Sequence, residues 1–338
     1  MYLGQIRQCE ENMAWLLLTL SCILFWGITD ILHKVSSDYN DPLSHYKTFV
    51  WIGIVMGLAG CVTMLVSDTL LDSVKMIRDD VLYLVPLCLV YAIAWFFGLL
   101  GNKHLDASIV STIENIDGAL VAIIVYYYYL LTGYIHPMYT IKFVDVVATV
   151  CIIIGVILIG REEQSLMRQE ANLSEDKKKH RFGALALFFP IIYTLIDVFS
   201  IAEIGGINAN SGILTAGEEN FIPAIDFFIF ECAGFALVAI CIWLYMMIVK
   251  KHIYNPFQEE ELIRCGAATG ETVGTMAFIY AASINPVLTA PITSLYCLVT
   301  IVLARIFLKE RLAKKQFISL AFLIAGIVLF GISEIFRV

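Results

Sequence analysis

The sequence predicts an all-α polytopic membrane protein, its ten transmembrane helices arranged as two inverted five-helix repeats. Three observations carry this. Apolar runs long enough to cross a bilayer recur along all 338 residues. Lys and Arg concentrate in alternate loops. The two halves of the chain echo each other around a polar centre.

The first observation is quantitative. The chain is 59% hydrophobic, 15% charged, and has a mean hydropathy of +0.81. A soluble domain has too much surface per unit volume to hide that much apolar material, and lipid removes the constraint. A span needs roughly 20 apolar residues, because the hydrocarbon layer is about 30 Å thick and a helix rises about 1.5 Å per residue. The net charge of −8 therefore says little about partners.

The spans follow in order. The first, 13–33, begins at Met13 behind a weakly charged leader. No small-residue cleavage site follows it, so it reads as a retained span rather than a signal peptide. The second, 44–67, carries Gly53, Gly57 and Gly60 on one face, where they permit close helix approach. Spans three to five are 81–103, 105–131 and 141–160. Tyr126–Tyr129 near the end of the fourth suit an interfacial aromatic belt. Residues 161–181 are polar, lack apolar periodicity and read as a solvated loop. Spans six to ten are 182–203, 222–249, 260–282, 286–308 and 316–334. The eighth repeats the glycine pattern with Gly266, Gly270 and Gly274. Pro286 and Pro291 fall in the ninth, where Pro291 would free backbone carbonyls. The units are therefore a first repeat at 13–160, a central loop at 161–181 and a second repeat at 182–334.

Orientation follows from the cations. Of the 22 Lys and Arg residues, 17 fall in odd-numbered loops, the central one included. Only Arg7, Lys75, Arg78, Lys142 and Arg337 fall elsewhere. The positive-inside rule then makes the central loop cytoplasmic and puts both termini outside. The compact form suits a bacterial inner membrane.

The halves align in three places. LFWGITDIL (24–32) matches IIYTLIDVF (191–199), pairing Trp26 with Tyr193 and Asp30 with Asp197. GNKHLDASIVSTI (101–113) matches YAASINPVLTAPI (280–292). CIIIGVILIG (151–160) matches LIAGIVLFG (323–331), pairing Gly155 with Gly326. Five spans per copy is an odd number, so the second copy inserts upside down, as in alternating-access transporters with a midplane site.

The stretch 282–331 combines a small-residue entry, a proline-containing span, a loop with Lys309, Glu310 and Arg311, and a last span with spaced glycines. In this it resembles the repeat end of the drug/metabolite transporter superfamily, EamA type. The first half departs from that pattern, with SIVSTIENIDGALV (108–121) in place of the proline-bearing stretch and no Glu-Arg pair. The resemblance implies ten helices in two inverted bundles around a central cavity. It names no solute, because the family carries very different ones.

Acids inside the membrane carry the chemistry. Glu114, Asp117, Glu231 and Glu271 lie deep in apolar spans, where an ionised carboxylate costs several kcal/mol. Such a group must face a cavity, find a partner or stay protonated. Glu114 and Asp117 share a helix face, with Asn115 beside them. Glu114 and Glu271 reach similar depth, roughly 14 and 16 Å from their span starts. Asp30 and Asp197 read either as gate or proton-access residues or as helix-end acids at the interface. Trp26, Trp95, Tyr193 and Tyr296 can hold an organic cation by cation–π attraction, or simply pack. Thr293 completes the expected solute-binding set.

Deep acids and aromatics without a deep base point to a secondary transporter of a small amine-bearing or cationic solute, with protons as exchange partner. An anionic solute would need Lys or Arg in the cavity. The alternative within transporters is an exporter of neutral or zwitterionic metabolites such as amino acids. A membrane-embedded enzyme or receptor is the alternative of another class. Neither GxSxG nor HExxH occurs, and the six histidines are dispersed near span ends or in loops. No enzyme activity, cofactor or metal site is therefore expected, and the nine scattered cysteines read as core residues. The expected partners are a small solute, membrane lipid and protons, not nucleic acid, and the chain is expected to be a monomer or homodimer.

Overall fold

The computed structural model describes residues 2–38, 41–66, 70–116, 143–144, 146–152, 154–155, 158, 162, 188–196, 224–256, 258, 261–284, 289, 292–310 and 313–335. Eight α-helices are delimited: α1 (Tyr2–Ser36), α2 (Ser44–Val66), α3 (Leu70–His104), α4 (Ala107–Glu114), α5 (Ala224–Ile248), α6 (Leu262–Ile284), α7 (Tyr296–Leu303) and α8 (Lys314–Ile335). A π-helical turn, Ala304–Leu308, continues α7. Residues 146–152 and 188–196 are also helical, and no strand occurs among the described residues.

Among the described residues, four stretches are long and apolar enough to cross a membrane: Met13–Ser36, Ser44–Val66, Val85–His104 and Ala224–Ile248. Each buries under half of its most apolar window inside the protein. The remaining surface is rich in large apolar side chains, including Leu17, Leu24, Leu58, Val62 and Ile240. In water each such side chain forgoes about 1.5–3 kcal/mol of burial, whereas lipid solvates it. The chain is a helical membrane protein.

Two differences from the sequence reading stand out. α1 and α3 begin at Tyr2 and Leu70, well before the apolar runs at 13 and 81. Apolar runs mark only the lipid-exposed part of a helix, and helical hydrogen bonding continues through polar side chains until a cap or breaker intervenes. Span nine, read as continuous, is interrupted by a turn, and the described part of span four ends in one. α4 ends at Glu114 in a turn at Asn115–Ile116, and a second turn at Ser294–Leu295 precedes α7. At the end of α4 the Ser111 carbonyl accepts both the Asn115 backbone N–H at 3.1 Å and its side-chain amide at 2.6 Å. Each turn tightens to an i→i−3 bond: Ile116 N–H to Ile113 O at 3.2 Å, and Leu295 N–H to Ile292 O at 3.1 Å.

Glycines set the packing. α2 and α5 run antiparallel, with Gly53, Gly57 and Gly60 facing Ala239, Ala236 and Cys232. A Cβ on Gly60 would sit 2.8 Å from that of Cys232, so only glycine allows the approach. α1 and α6 pair in the same way, Gly270 against Thr29 and Gly274 against Trp26. The glycine faces read from the sequence are thus helix–helix seams. A third seam joins residues 146–155 to α8. Gly155 lies against Leu323, and Gly326 against Ile152.

The Pro286 and Pro291 readings, the Tyr126–Tyr129 belt and nearly all of the central loop fall outside the described residues.

Candidate functional site

One cavity collects most of the acids and aromatics singled out in the sequence. Each wall is a helical stripe spaced by three or four residues. α1 contributes Trp26, Asp30 and His33, and α3 contributes Tyr91, Trp95, Gly98 and Asn102. α6 gives Glu271, Thr275 and Phe278, and α5 gives Glu231. The two turns close the ring: Glu114 and Asn115 at one, Thr293, Ser294 and Tyr296 at the other. Tyr193 enters from helix 188–196. Glu114, Asn115, Glu271, Trp26, Trp95, Tyr193, Tyr296 and Thr293 therefore meet in one space. Asp117 and Asp197 lie outside the described residues.

Asp30 sits in the cavity wall rather than at a helix end. Its Oδ2 accepts a hydrogen bond from Thr300 Oγ1 at 2.8 Å. Thr275 Oγ1 donates to Glu271 Oε1 at 3.3 Å. Glu114 occupies the space that Gly98 leaves, since a Cβ there would lie 2.8 Å from Glu114 Oε1. The Tyr193 ring closes the same notch, with Cγ 3.6 Å from that position. Asp30, Glu231 and Glu271 line the same cavity, on α1, α5 and α6.

The aromatic lining is interlocked. Trp26 meets Phe278 at 5.3 Å between centroids and Tyr296 edge-on at 5.5 Å. The Trp26 indole N–H is buried with no hydrogen-bond partner among the described residues. Such an orphaned donor costs about 1–3 kcal/mol unless water or a solute fills it.

Sequence reasoning passed over His33. It lies near the end of α1 but is buried to 1% exposure. Its Nε2 is 3.9 Å from Glu271 Oε2, and Trp95 stands edge-on at 5.0 Å. The signal was present in the spacing, because His33 lies one turn beyond Asp30 on the face that carries Trp26. Tyr91 and Asn102 were likewise legible as the continuation of the Trp95 face.

Beyond His33 and Asn102, charged groups tie helix ends together. Lys34 Nζ donates to the carbonyls of Asn102 and Leu105 at the C-terminus of α3. Glu310 accepts from the N–H groups of Ala107 and Ser108 at 3.0 and 3.3 Å and from Ser108 Oγ at 2.6 Å, at the N-terminus of α4. A cation at one helix's C-terminus and an anion at the next one's N-terminus complement both dipoles. Arg264 reaches the Ser36 carbonyl at 3.1 Å, and Lys103 reaches the Asp41 carbonyl at 2.8 Å. Among the described residues, no three His, Cys, Asp or Glu side chains converge on a metal-sized position.

Comparison with known proteins yields no match, either to a protein-family model or to a curated protein sequence.

Proposed function

We propose that the chain is a secondary transporter that moves a small cationic or amine-bearing solute by alternating access, built as two inverted five-helix repeats as in the drug/metabolite transporters it resembles. The observation that carries this reading is the composition of the cavity. Asp30, Glu114, Glu231 and Glu271 converge there with six aromatic rings, and the described lining holds no Lys or Arg. Carboxylates supply countercharge and ring faces supply the quadrupole that an organic cation needs. An anionic solute would meet repulsion from every side.

Internal correspondence supports the repeat. The alignment of 101–113 with 280–292 carries the Asn115–Ile116 turn onto Ser294–Leu295, residue for residue. The hydrogen bonds that tighten the two turns also correspond. The alignment of Gly155 with Gly326 carries Ile152 onto Leu323, so the two glycine contacts of the third seam exchange under it. Reciprocity of that kind is what a two-fold axis imposes. Helices broken beside a midplane cavity suit transporters, because freed backbone groups and side chains there meet the solute.

The clamp formed by Lys34, Glu310 and Arg264 draws together residues from the Lys- and Arg-rich loops. It supports a cavity shut on the cytoplasmic side, in a plasma or inner membrane, with the central loop also cytoplasmic.

Uptake of radiolabelled benzyltrimethylammonium into proteoliposomes tests this reading. The probe combines a permanent charge with one ring and does not cross lipid unaided. Glu271→Gln and Glu114→Gln are expected to lower its initial rate at least about tenfold, the order of a single lost charge contact of about 1.5–3 kcal/mol. Wild-type rates in both variants remove these acids from the mechanism.

A further inference from the structure

Resting on the cationic-solute reading, we propose that His33 and Glu271 are the proton-exchange pair of the cavity, and that the solute competes with the His33 proton for the Glu271 carboxylate.

Geometry carries the assignment. The 3.9 Å between Nε2 and Oε2 is too long for a hydrogen bond and within ion-pair range. Both ring nitrogens of His33 are buried and make no hydrogen bond among the described residues. A neutral imidazole offers one donor and one acceptor, and an imidazolium two donors. A side chain at 1% exposure with both positions open, in a cavity wall, is placed for a partner that comes and goes.

The surroundings single it out. The titratable lining groups facing the pair are Asp30 on its own helix, Glu114 on α4, Glu231 on α5, and the phenols Tyr91, Tyr193 and Tyr296. All become negative or stay neutral. α2 and α8 place no described residue in the lining. His33 is thus the described lining residue that can carry positive charge, and it stands beside Glu271. Its neighbour Lys34 is engaged on the α3 carbonyls.

The exchange balances simply. With the cavity empty, the pair is imidazolium and carboxylate. A monocation entering takes its place against Glu271, the N–H bond of the imidazolium breaks, and one proton leaves to water on the open side. Charge in the cavity is unchanged, and no covalent bond to the solute forms. After the cavity opens to the other side, the reverse step releases the cation and takes up one proton. The result is one-for-one antiport.

Two measurements on purified full-length protein in detergent test this with benzyltrimethylammonium, which has no proton of its own. Binding is read from tryptophan emission, and proton release from a pH dye in weakly buffered solution. Wild type is expected to release up to one proton per probe bound. Its apparent Kd should fall about tenfold per pH unit while the free site is protonated, the slope required by one linked proton. His33→Gln is expected to bind the probe, release no proton on binding and lose that slope. The wild-type pH series stands even if the variant fails to fold. Binding by wild type without proton release or pH slope overturns the proposal, as does unchanged release in His33→Gln. Absence of any probe binding by wild type overturns the cationic-solute reading and this proposal together.

Discussion

What each carboxylate does here depends on the donor that reaches it. Asp30 and Glu271 receive threonine hydroxyls and stay in the cavity wall, whereas Glu310 receives two backbone N–H groups and a serine hydroxyl and becomes structural. Asp41, in the loop before α2, shows the third case. Burial raises its proton affinity, but Lys47 at 2.7 Å, the Leu43 N–H and the charge of Arg264 outweigh it and hold the carboxyl below its ordinary range. A group depressed in the folded state contributes stability above its unfolded value of about 3.9, and that contribution is lost as pH falls through the folded value. Asp41→Asn should therefore lower the melting temperature at pH 7, and the gap should begin to narrow below about pH 4 and go on narrowing as the pH falls through the folded value. A gap that does not narrow at all as the pH falls below about 4 would show that the carboxylate's charge is not the cause. The depth of Glu114 and Glu271 could be counted from the span starts. The face that His33 shares with Trp26 and Asp30 could be counted too, but its burial could not, because a lone histidine near an apolar run's end looks like an interfacial residue until its helix is seen packed against α6.

Elements were legible where lipid dictates composition and illegible where a local turn does. The bounds of α2 match the run at 44–67, and α5 matches 222–249 to within two residues, because most residues there are apolar and the few polar ones do not break the run. The turns at Asn115–Ile116 and Ser294–Leu295 sit inside apolar text, and hydropathy has no term for them. α4 is eight residues long, too short to persist on propensity alone. Its N-cap residue, Asp106, makes no capping hydrogen bond. Glu310 takes that role from more than 200 residues away in sequence. Loss of a cap costs about 0.5–2 kcal/mol. Glu310→Ala should therefore speed amide exchange at Ala107 and Ser108 by about tenfold, since each 1.4 kcal/mol is a factor of ten. Exchange mass spectrometry of the segment around residues 105–110 reads this directly. Unchanged protection there would mean that α4 is held by its packing and not by the cap.

At the scale of the molecule, the cations read from the sequence as loop residues converge in space. Lys34 holds the α3 carbonyls, Lys103 and Lys47 both meet Asp41, and Arg264 bridges Glu261 to the end of α1. These residues come from the first, third and seventh loops, and Glu310 joins them from the ninth. One end of the bundle is therefore assembled from the segments that the sequence reading numbers as odd loops. Placing charge on one side also fixes which way the bundle inserts, because translocating each of these side chains costs several kcal/mol. On a cysteine-free background, single cysteines at Lys251 and Lys315, both exposed, should react with a membrane-impermeant maleimide only from the cytoplasmic side. A cysteine at Gln5, beyond the outer end of the first apolar window, should react only from the opposite side. Gln5 and Lys251 are joined by seven predicted spans, so their labelling from one side would require an even number. That result would break the inverted arrangement, and with it the two-fold relation between the Asn115 and Ser294 turns on which the alternating-access reading depends.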